Sequence, residues 1–128
     1  IEKNGLMYDP NKWEPYTDCG REKTNKDLFE WVREGIDRGA GEIFLTSIDN
    51  EGTKNGFDLN LISEASKIST VPLICSGGAG HLEHINELIK TVEADGAAFS
   101  NLLHIDKITI SEIKNFLTNK QNKIKIRI

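Results

Sequence analysis

Apolar residues along the chain recur at the spacing of an amphipathic helix in four segments. Positions three and four apart predict helices over about 26–38, 58–68, 81–91 and 111–118. Thr24 or Asn25 is expected to cap the first helix and Asp58 the second, because their side-chain oxygens can accept the first free backbone N–H groups. Thr109 and Glu112 have the spacing of a capping box before the last helix.

Three short apolar runs separate these helices and predict buried strands. The runs begin near residues 42, 71 and 96, at intervals of 29 and 25 residues. Strands that alternate with helices at this pitch build parallel sheets through right-handed crossovers, so the sequence predicts an α/β fold. Turn formers and scattered aromatics over 1–25 predict a short hairpin, and the alternating tail over 123–128 predicts a short edge strand.

Two architectures fit this order of elements, an open doubly wound sheet and a (β/α)8 barrel. A complete barrel needs about 250 residues, whereas this chain has 128. The chain also begins with Ile1 rather than with an initiator Met. A half-barrel that is part of a longer reading frame would explain both the short length and the missing initiator Met.

Composition places the chain among ordinary soluble proteins. It has 16 basic and 20 acidic residues, a net charge of −4, and 38% hydrophobic residues. A mildly acidic chain is a poor ligand for nucleic acid, which is bound through Lys and Arg. No apolar run reaches the roughly 18 residues of a membrane span, and no secretory signal opens the sequence. We therefore expect a cytoplasmic protein with neither a nucleic-acid nor a membrane partner.

Several residues with reactive side chains are better explained by structure than by chemistry. Cys75 lies in an apolar strand, where we expect a buried and inert thiol, and Cys19 has no evident histidine partner. His81 and His84 lie on one helix, but no cluster of Cys, Asp or Glu completes a zinc site. Trp31 is expected in the core. We expect neither a metal nor another cofactor.

The chemistry of parallel α/β folds lies on the loops that follow the strands. The first such loop, over 49–56, places the carboxylate of Glu51 beside Gly52, the hydroxyl of Thr53 and the cation of Lys54. This composition suits a general acid or base next to a phosphate-binding backbone, and it suits a polar surface turn equally well. The residues alone leave both interpretations open.

The second loop, Ser76-Gly-Gly-Ala-Gly80, carries the strongest signal for an anion site. Glycines let backbone N–H groups approach an anion closely, and the following helix adds a favourable dipole. The alternative is a tight turn that needs positive φ. The Gly-Lys-Ser/Thr of a P-loop does not follow.

The third loop, Ser100–Asn101, precedes a predicted short helix over 101–104, as in phosphate-binding barrels.

Three stretches in combination resemble the HisF family, the cyclase subunit of imidazole glycerol phosphate synthase in histidine biosynthesis. They are Gly39–Asp49 (GAGEIFLTSID), Glu51–Asp58 (EGTKNGFD) and Val71–Gly80 (VPLICSGGAG) with His84. The stretch Tyr16–Thr24 before the first helix is similar too. The resemblance runs through almost the whole chain and is more specific than any one loop.

The resemblance implies the C-terminal half of a (β/α)8 TIM barrel, as a single domain over 1–128. Residues 1–25 would form a loop or hairpin after a missing or partial fifth strand, and 26–128 would form βα units six to eight with the preceding helix. Family members close the imidazole ring of PRFAR with ammonia from a glutaminase subunit, which yields imidazole glycerol phosphate and AICAR. The isolated chain is expected to bind phosphate without turnover, because strands one to four would be missing.

The resemblance also implies roles for residues. Glu51 takes the place of the family's second catalytic aspartate, and Glu42 matches a glutamate of the gate at the ammonia entrance. Thr46 and Ser47 match positions that face the substrate. The phosphate and substrate site further includes residues of three loops: Gly52, Thr53, Gly77, Gly78, Ser100 and Asn101.

Two other functions stay open at this point. Some relatives of this family deliver ammonia to a sugar in surface-polysaccharide synthesis, and glutamate rather than aspartate at position 51 suits altered chemistry. Alternatively, a half-barrel exposes two sheet edges and an apolar inner face. Such a chain is expected to self-associate as a homodimer and to bind phosphate without catalysis.

Overall fold

The computed structural model describes residues 12–92, 94–105 and 107–119 with their side chains, and the backbone of 2–3 and 6–7. The strands in these ranges are β1 (Glu2–Lys3), β2 (Leu6–Met7), β3 (Tyr16–Thr17), β4 (Glu22–Lys23), β5 (Ile43–Thr46), β6 (Leu73–Ser76) and β7 (Gly96–Ala98). The helices are α1 (Leu28–Asp37), α2 (Leu59–Ile68), α3 (Leu82–Thr91), α4 (Asn101–His104) and α5 (Ile110–Asn119).

A parallel sheet in the order β5-β6-β7 forms the centre of the fold. Thr46 pairs with Ser76, and Ser76 pairs with Ala98, so the three strands end at the same edge. The helices α2 and α3 connect successive strands, and the predicted α/β class is confirmed. β1–β2 and β3–β4 form separate antiparallel hairpins. The predicted edge strand over 123–128 lies outside the described residues.

One face of this sheet packs against the helices and the other is open. Leu45, Leu73 and Cys75 lie in the buried core. Phe44, which precedes Leu45 in β5, has 62% of its surface exposed. Successive side chains of a strand point to opposite faces, so this alternation assigns the helices to one face. They contribute Leu28, Val32, Leu61, Ile62, Ala65, Ile85, Leu88, Ile113 and Leu117 to the core.

Asp27, rather than Thr24 or Asn25, caps α1. Its carboxylate accepts the N–H groups two and three residues further on, at 2.9 and 3.0 Å. The predicted caps were wrong for two physical reasons. The hydroxyl oxygen of Thr24 accepts the N–H of Lys26 at 3.3 Å, which lies before the first residue of α1. Asn25 has a φ of 56°, outside the extended region that a cap adopts.

Trp31 is not a core residue, contrary to the prediction from its helical spacing. It is 41% exposed, whereas Leu28 and Val32 on the same helix are buried. The Nζ of Lys26 lies 4.0 Å from the centre of the indole ring, a cation–π contact. In the described part of the chain, no strand lies beyond β5 to cover this part of α1.

The remaining predicted caps are confirmed. Asp58 accepts the N–H of Leu61 at 3.0 Å and caps α2. The carboxylate of Glu112 accepts the N–H and the hydroxyl of Thr109, both at 2.7 Å, while the Glu112 N–H donates to the Thr109 hydroxyl at 3.2 Å. These bonds form a capping box before α5. Within the described ranges, every helix is too short or too polar to cross a membrane.

Candidate functional site

Three loops meet where the strands of the sheet end. They are the β5 loop (residues 47–58), the glycine loop (residues 76–80) and the β7 loop (residues 99–100). Together they surround a cavity of about 240 Å³. Its walls are formed by Glu51, Ser76, Gly77, Gly78, Ala79, Ala98, Phe99, Ser100 and Asn101. The loops converge because the parallel register brings the strand ends to one edge.

Gly77 and Gly78 occupy positions that a residue with a side chain does not fit. Their φ angles are 102° and 94°, in the left-handed region that favours glycine. A Cβ on Gly77 would lie 2.6 Å from the carbonyl oxygen of Ser47, and one on Gly78 would overlap the carbonyl oxygen of Gly56. The glycine loop is therefore a tight turn with positive φ, and the same backbone lines the cavity.

In the described ranges, the glycine loop also carries backbone donors without a backbone acceptor. Among the residues that the structure describes, the N–H groups of Gly77, Gly78 and Ala79 donate to no other backbone group. Successive free N–H groups in a turn form a concave surface that favours an anion. The positive end of the α3 dipole lies just beyond the loop, at Leu82. The electrostatics of this wall suit a phosphate group.

Glu51 is one of the residues that line the cavity. Its N–H donates to the Ser47 carbonyl at 3.0 Å, which closes a turn at the end of β5. Gly52 and Thr53 are exposed and lie outside the cavity wall as described. The hydroxyl of Thr53 donates to the Asn50 carbonyl at 2.8 Å. The loop thus presents Glu51 to the cavity and uses the Thr53 side chain for its own turn.

A one-turn helix follows β7, as predicted. The N–H groups of Leu103 and His104 donate to the Ser100 carbonyl, each at 3.0 Å, so α4 begins at Asn101. Ser100 and Asn101 both line the cavity. The start of this helix therefore lies beside the glycine loop.

Thr46 and Glu42 lie in a separate and larger opening. This β5 groove, of about 1110 Å³, runs along β5 between that strand, α1 and the β3–β4 hairpin. Glu42 precedes the strand and Thr46 ends it, so the two lie at opposite ends of β5. By strand alternation both share the open face with Phe44. The structure places them on this face rather than in the cavity at the loops.

The two cysteines differ in environment. Cys75 is buried in the core and Cys19 is exposed, and both are free thiols. Burial raises the pKa of the Cys75 thiol to about 11, with a further contribution from the negative charge of Asp95. A thiol that stays protonated is a poor nucleophile. The expectation that Cys75 is buried and inert is supported.

Two residues outside the predicted site bind the backbone of these loops. The Nδ2 of Asn50 donates to the Gly56 carbonyl at 3.0 Å, and the Nδ1 of His84 accepts the N–H of Gly80 at 3.1 Å. Helical spacing predicts an ordinary amphipathic face for His84. The signal that singles it out is its place, four residues after Gly80, in the HisF-like stretch.

Similarity to known proteins decides the family. Residues 4–109 match the model of the histidine biosynthesis protein family. The chain belongs to this family. The imidazole glycerol phosphate synthase subunit HisF of Prochlorococcus marinus is 48% identical over 111 residues, which are 87% of this chain and 43% of that relative. The corresponding subunits of Clostridium botulinum, at 45% over 120 residues, and of Streptococcus mutans, at 38% over 117 residues, are similar as well.

The resemblance to HisF subunits is thereby confirmed across most of the chain. The alignments cover 94% of the chain with the Clostridium botulinum subunit and 91% with the Streptococcus mutans subunit, but 47% and 46% of those relatives. The chain thus spans less than half the length of the curated relatives that it matches. HisF subunits have the TIM-barrel fold, and a parallel α/β sheet is consistent with part of such a barrel.

Proposed function

We propose that the chain is the C-terminal half of a (β/α)8 barrel of the HisF type. Strands β5, β6 and β7 then correspond to barrel strands six to eight, and residues 1–25 to the segment that follows strand five. The parallel strand order, the open face that carries Phe44 and the match to less than half of each relative support this proposal. In a complete barrel the open face would line the packed interior.

In the complete barrel, the cavity at the three loops would bind a phosphate group of PRFAR, and the products would be imidazole glycerol phosphate and AICAR. The convergence of the glycine loop and Ser100–Asn101 on one cavity is the observation that carries this function. Barrels of this fold often hold phosphate between the loops after their last two strands and the start of a short extra helix. The glycine loop, the β7 loop and α4 are the corresponding parts of this chain.

Glu51 is the proposed general acid or base of ring closure. Glu51 lines the cavity, next to the place where the substrate would be anchored. Thr46 would face the substrate from the open face of the sheet. Glu42, at the other end of β5, would belong to the gate through which a glutaminase subunit supplies ammonia.

The isolated chain is expected to bind phosphate without turning over PRFAR. The open face exposes Phe44, and the loop that follows β5 exposes Ile48, which is 48% exposed. β5 also lies at the edge of the described sheet. Apolar surface and an unpaired edge both favour association. These features support a second candidate function, a homodimer that binds phosphate without catalysis.

Reassembly of a barrel tests the proposed function. The chain is co-expressed with the amino-terminal half of the Prochlorococcus marinus relative, and PRFAR conversion is followed with ammonium ions as the nitrogen source. We expect ammonia-dependent formation of imidazole glycerol phosphate by the complex and none by either half alone. A complex that forms and binds phosphate but leaves PRFAR unchanged would favour the non-catalytic candidate.

Two substitutions at position 51 separate catalysis from structure in this complex. Glu51→Gln keeps the size of the side chain but removes the carboxylate, so turnover should fall by about a hundredfold or more while phosphate still binds. Glu51→Asp keeps a carboxylate at the position of the family's aspartate and should remain active. Full turnover by the Gln variant would exclude Glu51 as the acid or base.

A further inference from the structure

The β5 loop and the glycine loop are joined by contacts that the proposed reaction does not use. We propose that Asn50 and His84 are positioning residues, which lock these two loops together and so fix the backbone donors of Gly77 and Gly78. The inference rests on the proposed phosphate site and adds the residues that hold it in shape. Neither side chain lines the cavity as described.

Asn50 fixes one side of the lock. Its Nδ2 donates to the Gly56 carbonyl at 3.0 Å, and the N–H of the same Gly56 donates to the Gly78 carbonyl at 2.8 Å. The two peptide groups that flank the Gly56 Cα are thus bound, one to the Asn50 side chain and the other to Gly78. Gly56 is buried, so these bonds are shielded from water. A buried polar group that loses its partner costs more than an exposed one.

His84 fixes the other side. Its Nδ1 accepts the N–H of Gly80 at 3.1 Å, which requires the ring proton to be on Nε2. The same ring lies against the β5 loop, with its Cδ2 3.6 Å from the point that a Cβ on Gly56 would occupy. From its place on α3, the ring therefore binds the glycine loop and lies beside Gly56 of the β5 loop. His81 packs edge-to-face on it, with the ring centres 5.3 Å apart.

The two contacts lie at the second glycine of the Gly77–Gly78 dipeptide and two residues beyond it. Gly78 is bound through its carbonyl to the β5 loop, and Gly80 is bound through its N–H to α3. The space beside Gly77 is filled as well, because a Cβ there would lie 2.6 Å from the Ser47 carbonyl oxygen. Backbone donors hold an anion well only when they need no rearrangement on binding. Loss of either side chain should therefore weaken phosphate binding without removing a donor.

Variants of His84 test the lock in the isolated chain. His84→Leu keeps bulk and removes the acceptor, and we expect the affinity for inorganic phosphate, measured by calorimetry, to fall about tenfold. His84→Asn restores an acceptor oxygen close to the position of Nδ1 and should recover most of the affinity. Glu87→Leu, on the exposed part of the same helix, is the matched control and should bind phosphate as the unchanged chain does. Equal affinity in the Leu and unchanged chains would overturn the proposal.

Amide hydrogen exchange supplies a readout that is independent of phosphate. In a merely local role, His84→Leu would speed exchange at Gly80 alone, whereas the lock predicts faster exchange at Gly56 as well, by about tenfold. Asn50→Leu should accelerate the same Gly56 amide, and it replaces His84→Leu if the latter does not fold. Unaltered Gly56 exchange in the folded variants would refute the lock.

The two proposals fail in different ways. If the unchanged chain does not bind inorganic phosphate, the assignment of the cavity is wrong, and the exchange data still decide whether Asn50 and His84 couple the loops. If phosphate binds and the variants match the unchanged chain in affinity and in amide exchange, the phosphate site is supported and the positioning role of Asn50 and His84 is refuted.

Discussion

Gly78 is the residue at which the β5 loop and the glycine loop touch most closely. Its carbonyl accepts the Gly56 N–H, and a side chain on its Cα would meet Gly56 and Asn50. The sequence is sufficient to predict a turn here, because two adjacent glycines after an apolar run are typical of positive φ. It does not reveal why the turn is needed, since Gly56 lies 22 residues earlier.

Gly78→Ala should disrupt the site. The methyl group would overlap the Gly56 carbonyl, and φ is 94° at this position. We expect a loss of about 1–3 kcal/mol in the free energy of unfolding and at least a tenfold loss of phosphate affinity. Urea titration and calorimetry measure the two quantities. Gly41→Ala is the control, because nothing lies within 4 Å of its added Cβ; equal behaviour of the two variants would contradict the described packing.

The residues around Gly78 show which cavity-lining residues can be predicted from the sequence. Glu51, Gly77 and Ser100 were predictable because they follow strands whose ends meet at one edge. The distance of Thr53 from the cavity was not predictable, because it depends on the turn that its own hydroxyl closes. Periodicity does not identify His84, because a hydrogen bond between a side chain and a loop produces no periodic pattern in the sequence.

Cys75 and Cys19 should react at very different rates with a thiol reagent. The thiolate is the reactive form, and with a pKa of about 11 Cys75 would be about one part in a thousand thiolate at pH 8, besides being buried. We expect one thiol per chain to react rapidly with Ellman's reagent in the folded protein and two in urea. Cys19→Ser identifies the fast thiol; rapid reaction in that variant would show that Cys75 is accessible.

At the scale of elements, periodicity located α1 but not its environment. The spacing of Leu28, Trp31 and Val32 marks one face of a helix, yet Trp31 is exposed. A periodic pattern shows which residues favour burial and not whether their partner lies in the same chain. Trp31 lines the β5 groove, beside the strand that ends the described sheet. The proposed half-barrel explains this, because strand five would cover that part of α1.

Gly35→Ala should stabilise α1. Gly35 lies inside the helix, and nothing lies within 4 Å of the Cβ that alanine would add. Alanine loses less backbone entropy than glycine when a helix forms, so the free energy of unfolding should rise by about 0.5–1 kcal/mol. Chemical denaturation measures the change, with Gly41→Ala as a non-helical comparison. A lower free energy of unfolding would mean that a neighbouring residue fills the space that the added Cβ needs.

The capping box of α5 should make stability depend on pH. Hydrogen bonds from the N–H and hydroxyl of Thr109 lower the pKa of the Glu112 carboxyl. The stabilisation by the carboxylate is therefore fully present above its unfolded-state pKa, about 4.3, and is lost as pH falls through the lower folded-state pKa. The difference in Tm between the unchanged chain and Glu112→Gln should be constant above about pH 5 and shrink below pH 4.

Glu87→Gln, on the exposed part of α3, serves as the control for that experiment. Because Glu87→Gln retains the capping box, the Tm of this variant should depend on acid pH as the Tm of the unchanged chain does. A difference between the unchanged chain and the Glu112 variant that stays constant down to pH 2 would exclude a role for the Glu112 carboxylate in the cap.

At the scale of the whole molecule, alternation of strands and helices predicted a parallel α/β fold, and the register of β5, β6 and β7 confirmed it. The open face was harder to foresee from the residues, because runs such as Ile43–Thr46 read as buried on both sides. In a complete barrel, the packed interior would cover the second face of such a strand, and the helices cover the first. Exposed Phe44 and Ile48 are therefore the features that the isolated chain is expected to cover by association.

The central claim is that one cavity, formed by backbone groups of the glycine loop and the start of α4, binds phosphate. Titration of the ¹⁵N-labelled chain with inorganic phosphate tests it most directly, with chloride at equal ionic strength as the control. We expect the amide resonances of Gly77, Gly78 and Asn101 to shift together along one saturation curve with phosphate and to stay in place with chloride. Unmoved resonances at these residues, or shifts confined to surface lysines, would contradict it.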